Sequence, residues 1–222
     1  MKRITSALVI ASILSLACSP GFAEGTRFKQ PMLDGKQCKF PEYPKSALRK
    51  DQEGLDIVGV QVDQNGAVLD TKILLSSGSA DLDQAAQAAF RKCAYQPGTV
   101  NDQPVTMWMQ VQYVWSIDPS NGKWFNGLRQ AALDGNAQAR FALGVMLEMP
   151  GGSETEKDAG LQLVISAAEA GEPMAQVSMA ARYESGKRIP RDIAEAHRWY
   201  AKAAAQGNVV AMDHLRLLGD DH

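Results

Sequence analysis

From Pro104 to Trp115 the chain alternates. Val105, Met107, Met109, Val111, Tyr113 and Trp115 fall on one parity, and Thr106, Trp108, Gln110, Gln112 and Val114 on the other. One apolar and one mixed face, in a run rich in β-branched and aromatic residues, predicts a half-buried strand. Leu55 to Asp63 predicts another strand, with Val58, Val60 and Val62 on one parity. Val68 to Leu75 predicts a third, with Leu69, Ile73 and Leu75 together. Asn65-Gly66 between them predicts a two-residue hairpin turn, because both positions tolerate positive φ. The period then changes. Leu82, Ala85, Ala86, Ala89, Phe90 and Cys93 make a helical stripe over 82–93, with Asp81 as the expected N-cap. Lys45 to Lys50 predicts a short helix opening just inside Pro44. The order helix, strand, strand, helix, strand buries these faces when helices pack on one face of a three-stranded antiparallel sheet, an α+β domain over residues 38–118.

Beyond residue 118 the pattern is helical and repeats itself. Ala131-Ala132-Leu133-Asp134-Gly135-Asn136-Ala137 recurs as Ala167-Ala168-Glu169-Ala170-Gly171-Glu172-Pro173, and again as Ala203-Ala204-Ala205-Gln206-Gly207-Asn208-Val209. Both offsets are 36 residues, since 167 − 131 = 203 − 167 = 36. A period of that length without a gap is the mark of a helical array. Each glycine stands where a helix must stop in the left-handed conformation. The predicted helices are 121–133, 137–147, 157–170, 173–184, 192–206 and 208–218, an all-α solenoid over residues 119–222.

The first 23 residues add an address. Lys2 and Arg3, then an apolar stretch from Ile4 to Ala17, then Gly21-Phe22-Ala23, predict a secretory signal peptide cut after Ala23. An uncleaved span is the other reading, but a spanning helix needs about 20 apolar residues. Cys18 offers a further alternative, a lipid anchor, although Ser15 stands where a lipobox prefers Leu. Residues 24–37 are short and polar and are expected to be a linker. After the cut only Cys38 and Cys93 remain, an even pair in an oxidising compartment. A disulfide between them closes a loop of about 56 residues and stabilises by roughly 4 kcal/mol in the chain-entropy model. Two buried free thiols are the other reading.

Composition excludes more than it assigns. The 222 residues carry 23 basic and 25 acidic side chains, a formal charge of −2, without a dense basic run. Nucleic-acid binding therefore has no electrostatic support. No P-loop, dinucleotide fingerprint or Gly-x-Ser-x-Gly occurs, and the three histidines lack ligand spacing, so no enzyme, cofactor or metal is expected. Asp56, Asp63 and Asp70 lie in or beside the hairpin and could pair in space, although solvated surface is the commoner role of carboxylates. Trp199-Tyr200 is expected in the repeat core.

Tyr43-Pro44, Glu53-Gly54, Val62-Asp63-x-x-Gly66-x-Val68, Ser76-Ser77-Gly78, Leu82-Asp83-x-Ala85-Ala86, Tyr95-x-Pro97 and Pro104-Val105 together resemble the C-terminal domain of the TonB family. Ala139-x-x-x-Leu143-Gly144, Tyr183-x-x-Gly186, Trp199-Tyr200 and Lys202-Ala203-Ala204-x-x-Gly207 resemble the Sel1-like repeat, a relative of the tetratricopeptide repeat. The first resemblance implies a periplasmic module that pairs its last strand with an extended partner segment, such as an outer-membrane receptor peptide. Its candidate binding residues are Val105, Thr106, Met107, Trp108, Met109, Gln110, Val111, Gln112 and Tyr113, with Thr106, Trp108, Gln110 and Gln112 as side-chain contacts. The second implies a protein-interaction scaffold for another contact. A homodimer through the sheet edge, a TonB-type energy transducer or accessory in outer-membrane transport, and a structural envelope protein are the alternatives.

Overall fold

The computed structural model describes residues 28–117 and 123–218. The expected signal peptide, Cys18 and the expected domain boundary after residue 118 lie outside those residues. The described chain forms two compact units, one on each side of residues 118–122.

The first unit opens with β1 (Phe28–Lys29) and β2 (Met32–Leu33), then α1 (Lys45–Arg49), β3 (Gly54–Val62), β4 (Val68–Leu75) and α2 (Ala80–Phe90). It closes with β5 (Tyr95–Gln96), β6 (Gly98–Val100), β7 (Gln103–Val105) and β8 (Met107–Trp115). The main sheet is antiparallel with the order β4-β3-β8. The register sets Val58 against Val111, Val60 against Met109 and Val62 against Met107. Directly opposed residues share a face. Leu82, Ala86 and Phe90 of α2 close over that face, burying it with Tyr113 and Trp115. Cys38 and Cys93 form a disulfide with Cα atoms 4.4 Å apart, tying the entry of the domain to the end of α2.

Three local expectations are corrected. Residues 24–37 are not all linker: β1 pairs with β6, β2 pairs with β5, and Leu33 joins the core. Strands of two residues are too short to show a period of two, so composition alone spoke for them. α2 starts at Ala80 after Ser79, not after Asp81. The hairpin turn is longer than two residues. The Asp63 N–H donates to the Ala67 carbonyl and the Gly66 N–H to the Asp63 carbonyl, while Asp63 Oδ1 accepts from the N–H groups of Asn65 and Ala67. Of the two residues, Gly66 alone takes positive φ, +86°, as in a type I turn closed by a glycine bulge. A Cβ there would also stand 2.0 Å from the Tyr95 carbonyl oxygen. The turn with two positive-φ residues lies elsewhere, at Asn101-Asp102 between β6 and β7, with φ of 52° and 62°.

The described residues of the second unit form six helices: α3 (Lys123–Leu133), α4 (Ala137–Leu147), α5 (Glu154–Glu169), α6 (Pro173–Ser185), α7 (Ile193–Ala205) and α8 (Val209–Leu218). Gly135, Gly171 and Gly207 have φ of 95°, 94° and 81°. At each, the glycine N–H reaches back three residues and the next N–H five, onto Ala132 and Ala131, Ala168 and Ala167, Ala204 and Ala203. That is a Schellman stop, used three times. The residue after each glycine, Asn136, Glu172 or Asn208, then caps the following helix through its side chain. Between α4 and α5, Gly144 and Gly160 meet so closely that a Cβ on either would lie 2.7 Å from the other's carbonyl oxygen. Buried Arg182 of α6 pairs with Glu148 at the end of α4.

Candidate functional site

β8 and the groups that hold it form the candidate site of the first unit. β8 is an edge strand: β3 lies on one flank, and among the described residues no strand lies on the other. The predicted edge is shorter than Val105 to Trp115. Val105 belongs to β7, where it opposes Gly98, and Thr106 lies between the two strands. The Asn101-Asp102 turn folds Gln103 to Val105 back on β6, so main-sheet pairing begins at Met107. Met107, Met109, Val111 and Tyr113 sit on the core face, each under a tenth exposed. Gln110 is half-buried opposite Gly59.

The mixed face of β8 is covered at Trp108 and Gln112. Trp108 is 9% exposed and Gln112 7%. Gly59 of β3 has no side chain, and Leu74 of β4 occupies the space a Cβ would need. The Lys72 ammonium of β4 stands 5.5 Å from the centre of the Trp108 ring, a cation–π distance.

The C-terminal end of β8 is anchored by residues that the sequence had assigned to motifs or to the surface. The Trp115 indole N–H donates to Asp56, a carboxyl with no exposed surface. The Ser77 N–H donates to Asp56 Oδ1 at 3.2 Å and to Asp83 Oδ1 at 2.9 Å. The Ser76 and Ser77 hydroxyls both donate to Asp83 at 2.6 Å. Burial pushes the Asp56 carboxyl up to about 8, and the neighbouring Asp83 adds to the rise. Glu53 Oε1 accepts the Ile117 N–H at 2.7 Å just past the strand. Gly54 is pressed against Ser77, whose carbonyl oxygen a Cβ would approach to 2.5 Å. Tyr43 stacks edge-on to Trp115 with ring centres 5.1 Å apart, and the Tyr113 hydroxyl donates to the Pro41 carbonyl at 3.3 Å. These motif residues thus act as scaffold, fixing where the C-terminal end of β8 lies.

The opposite edge, β4, is furnished differently. The Thr71 N–H donates to Asp70 Oδ1 at 2.7 Å, and its carbonyl accepts from Gln87 Nε2 of α2 at 2.5 Å. Arg91 donates to the Thr71 hydroxyl at 3.1 and 3.2 Å and to Asp70 at 3.4 Å. Asp70 and Asp63 are therefore bonded into the hairpin, not merely solvated.

In the second unit, Tyr200 lies in the core as expected, 1% exposed. Its hydroxyl donates to Glu184 at 2.8 Å, and its ring stacks on His214 with centres 4.6 Å apart. Burial pushes Glu184 up to about 7 and His214 down to about 4. Trp199 is half-buried under the Lys202 ammonium, 3.9 Å from the ring centre.

Comparison with known proteins follows this division. Residues 39–117 match the family described as the Gram-negative bacterial TonB protein C-terminal. Residues 137–172 and 173–208 match the Sel1 repeat. The chain carries a TonB C-terminal domain followed by Sel1 repeats. Over 71 residues it is 39% identical to "Protein TonB" of Xanthomonas campestris pv. campestris and 34% identical to "Protein tonB2" of Pseudomonas aeruginosa. Those matches cover 32% of this chain, and 32% and 26% of the two relatives, so the likeness spans a third or less of their length. A Sel1 repeat protein from Oxalobacter formigenes shares 31% identity over 45% of this chain and 29% of that one, with a TM-score of 0.41.

Proposed function

We propose that this chain is a periplasmic interaction module that takes an extended segment of a partner protein along β8. The main chain of Met107 to Tyr113 would supply the new ladder, and Gln110 would be the side chain nearest the added strand's polar contacts. The observation that carries this is the position of β8: an edge strand, locked at its C-terminal end by Trp115 and Asp56, in a TonB C-terminal domain. TonB C-terminal and Sel1 segments are interaction modules, so the repeats supply a scaffold for a second protein contact. Among the described residues no helix is long and apolar enough to cross a membrane.

The test uses an array of extended peptides, including periplasm-facing segments of outer-membrane receptors. The parent captures a subset, and Gln110→Pro, which deletes a main-chain donor in the middle of β8, abolishes the capture. A Gln110→Pro protein that is folded, with its disulfide intact, and still binds those peptides overturns the assignment. A second copy of this chain is the alternative occupant of the same edge, and a concentration-dependent dimer lost in Gln110→Pro would identify it. A role in TonB-type transport is supported by the likeness to the two TonB relatives. It would require retention at the inner membrane, read from the N-terminus of the protein in envelope fractions.

A further inference from the structure

An antiparallel sheet of three strands has two edges, and strand addition at one is useful only when the other is shut. An open edge carries a row of N–H and C=O groups that any extended chain can join. β4 is the second edge, and among the described residues it borders β3 alone. It also carries Leu69, 56% exposed, which would favour adhesion. Yet Thr71, midway along this edge strand, is 3% exposed. Both of its main-chain groups are taken by side chains: the N–H by Asp70 Oδ1 at 2.7 Å and the carbonyl by Gln87 Nε2 at 2.5 Å. Arg91 lies over the same residue, donating to its hydroxyl and to Asp70. An incoming strand would need the very donor and acceptor that Asp70 and Gln87 already hold.

We propose that Asp70 and Gln87 are a guard that closes the β4 edge to strand addition and so restricts pairing to β8. The chemistry is sufficient for the task. A carboxylate accepting a main-chain N–H makes a charge-assisted bond, stronger than the neutral bond an incoming strand would offer. Gln87 projects from α2, whose Leu82, Ala86 and Phe90 are locked in the core, so its amide is delivered from a rigid base. Arg91, one turn further along, holds Asp70 in place. These are positioning residues: they touch no ligand, and they decide which edge a ligand meets. The purpose given to the guard, capture on one side only, rests on the reading of β8 above. The guard itself does not, and it is tested without any ligand.

The test is self-association of the full chain in a Cys18→Ser background, with Leu69→Cys as a reporter on the β4 edge and a short bis-maleimide as cross-linker. The pair Asp70→Ala and Gln87→Ala removes both caps. The pair Asp70→Asn and Gln87→Lys keeps an acceptor and a donor. The uncapped pair is expected to cross-link through Cys at position 69 at least tenfold faster than the parent, and to sediment at twice the parent mass or more. The conservative pair is expected to behave as the parent. Cross-linking that is equal in all three, or an uncapped protein with native circular dichroism that stays at the parent mass, overturns the proposal. Should the uncapped pair fail to fold, Gln87→Ala alone, a helix-favouring change on α2, decides by the same two readouts. Loss of peptide capture in Gln110→Pro bears on β8 and leaves these outcomes unchanged, so the two readings fail separately.

Discussion

The two units of this chain are held by opposite means. In the first, the deciding bonds join residues far apart: Trp115 to Asp56 across 59 positions, Ile117 to Glu53 across 64, and Tyr113 to Pro41 across 72. In the second, one local device recurs every 36 residues, a glycine stop followed by a side-chain cap. The lesson concerns what a substitution can reach. A strand at a sheet edge is placed by partners from the whole domain, so its position depends on residues far from it in sequence. A repeat is placed by its own neighbours, and damage to one stop stays near that stop.

The largest expected break in this contrast is Asp56→Ala. It leaves the buried Trp115 indole N–H without its acceptor, takes from the Ser77 N–H the weaker of its two, and opens a void, a loss of about 3 kcal/mol. Hydrogen exchange should show amides throughout β8 and β3 opening faster, while amides of the repeats keep their rates. Asp56→Asn retains an acceptor and should cost far less. The same pair sharpens the comparison through pH. Burial raises the Asp56 carboxyl from its ordinary 3.8 to about 8. The unfolded chain loses this proton near pH 4, whereas the folded chain keeps it, so the contribution is complete below pH 4 and drains away as pH rises through about 8. Asp83 is shifted down: burial works against its ionised form, but the donors at Asp56, Ser76 and Ser77 outweigh it. Its own pH dependence therefore lies below 4. Urea unfolding of the first unit should weaken from pH 5 to 8 in the parent and be flatter in Asp56→Asn.

A smaller effect is expected where α4 and α5 of the repeats pack closely. Gly144→Ala drives a methyl to 2.7 Å from the Gly160 carbonyl, and α4 and α5 must part. Overpacking of this kind costs about 2 kcal/mol. Differential exchange in α4 and α5, with β8 unaffected, would support the local character of the second unit. An equal response in the first unit would break it.

The smallest effect is at a helix stop. A Cβ on Gly171 meets nothing within 4 Å, so Gly171→Ala changes only backbone strain at a φ of 94°. The cost is about 1 kcal/mol. Gly135→Ala and Gly207→Ala should match it, because the geometry is the same. A spread of several kcal/mol among the three in thermal unfolding would show that the stops are not equivalent.

Much of this molecule was legible in the chain. The helix boundaries of the repeats fall within a few residues of their expected places, because a glycine stop and an alanine face are local facts. β4 spans Val68–Leu75 as its alternation predicts, and the Cys38–Cys93 bridge forms as the exported context predicts. The misses share one cause. Asp56 looked like a surface carboxylate because nothing beside it in sequence says that Trp115 and Ser77 will close over it. Whether Trp108 is covered was open in the sequence, because the groups that meet it, Lys72 of β4 among them, lie on other strands. β1 and β2 were too short to carry a period, and their partners lie 62 to 72 residues away.

By itself the sequence determined the class of each unit, the period and stops of the repeats, the strands of the main sheet and the family likeness of both parts. Those rest on periodicity and on backbone preference, which act within a few residues. Only the tertiary structure decided that main-sheet pairing of the last strand starts at Met107 and not Val105, that the shared motifs serve as anchors for β8, and that Asp70 and Gln87 bond the main chain of Thr71. Each of these depends on which distant groups meet. A chain states its local preferences in order, whereas a hydrogen bond between positions 56 and 115 exists only once the sheet has brought them together.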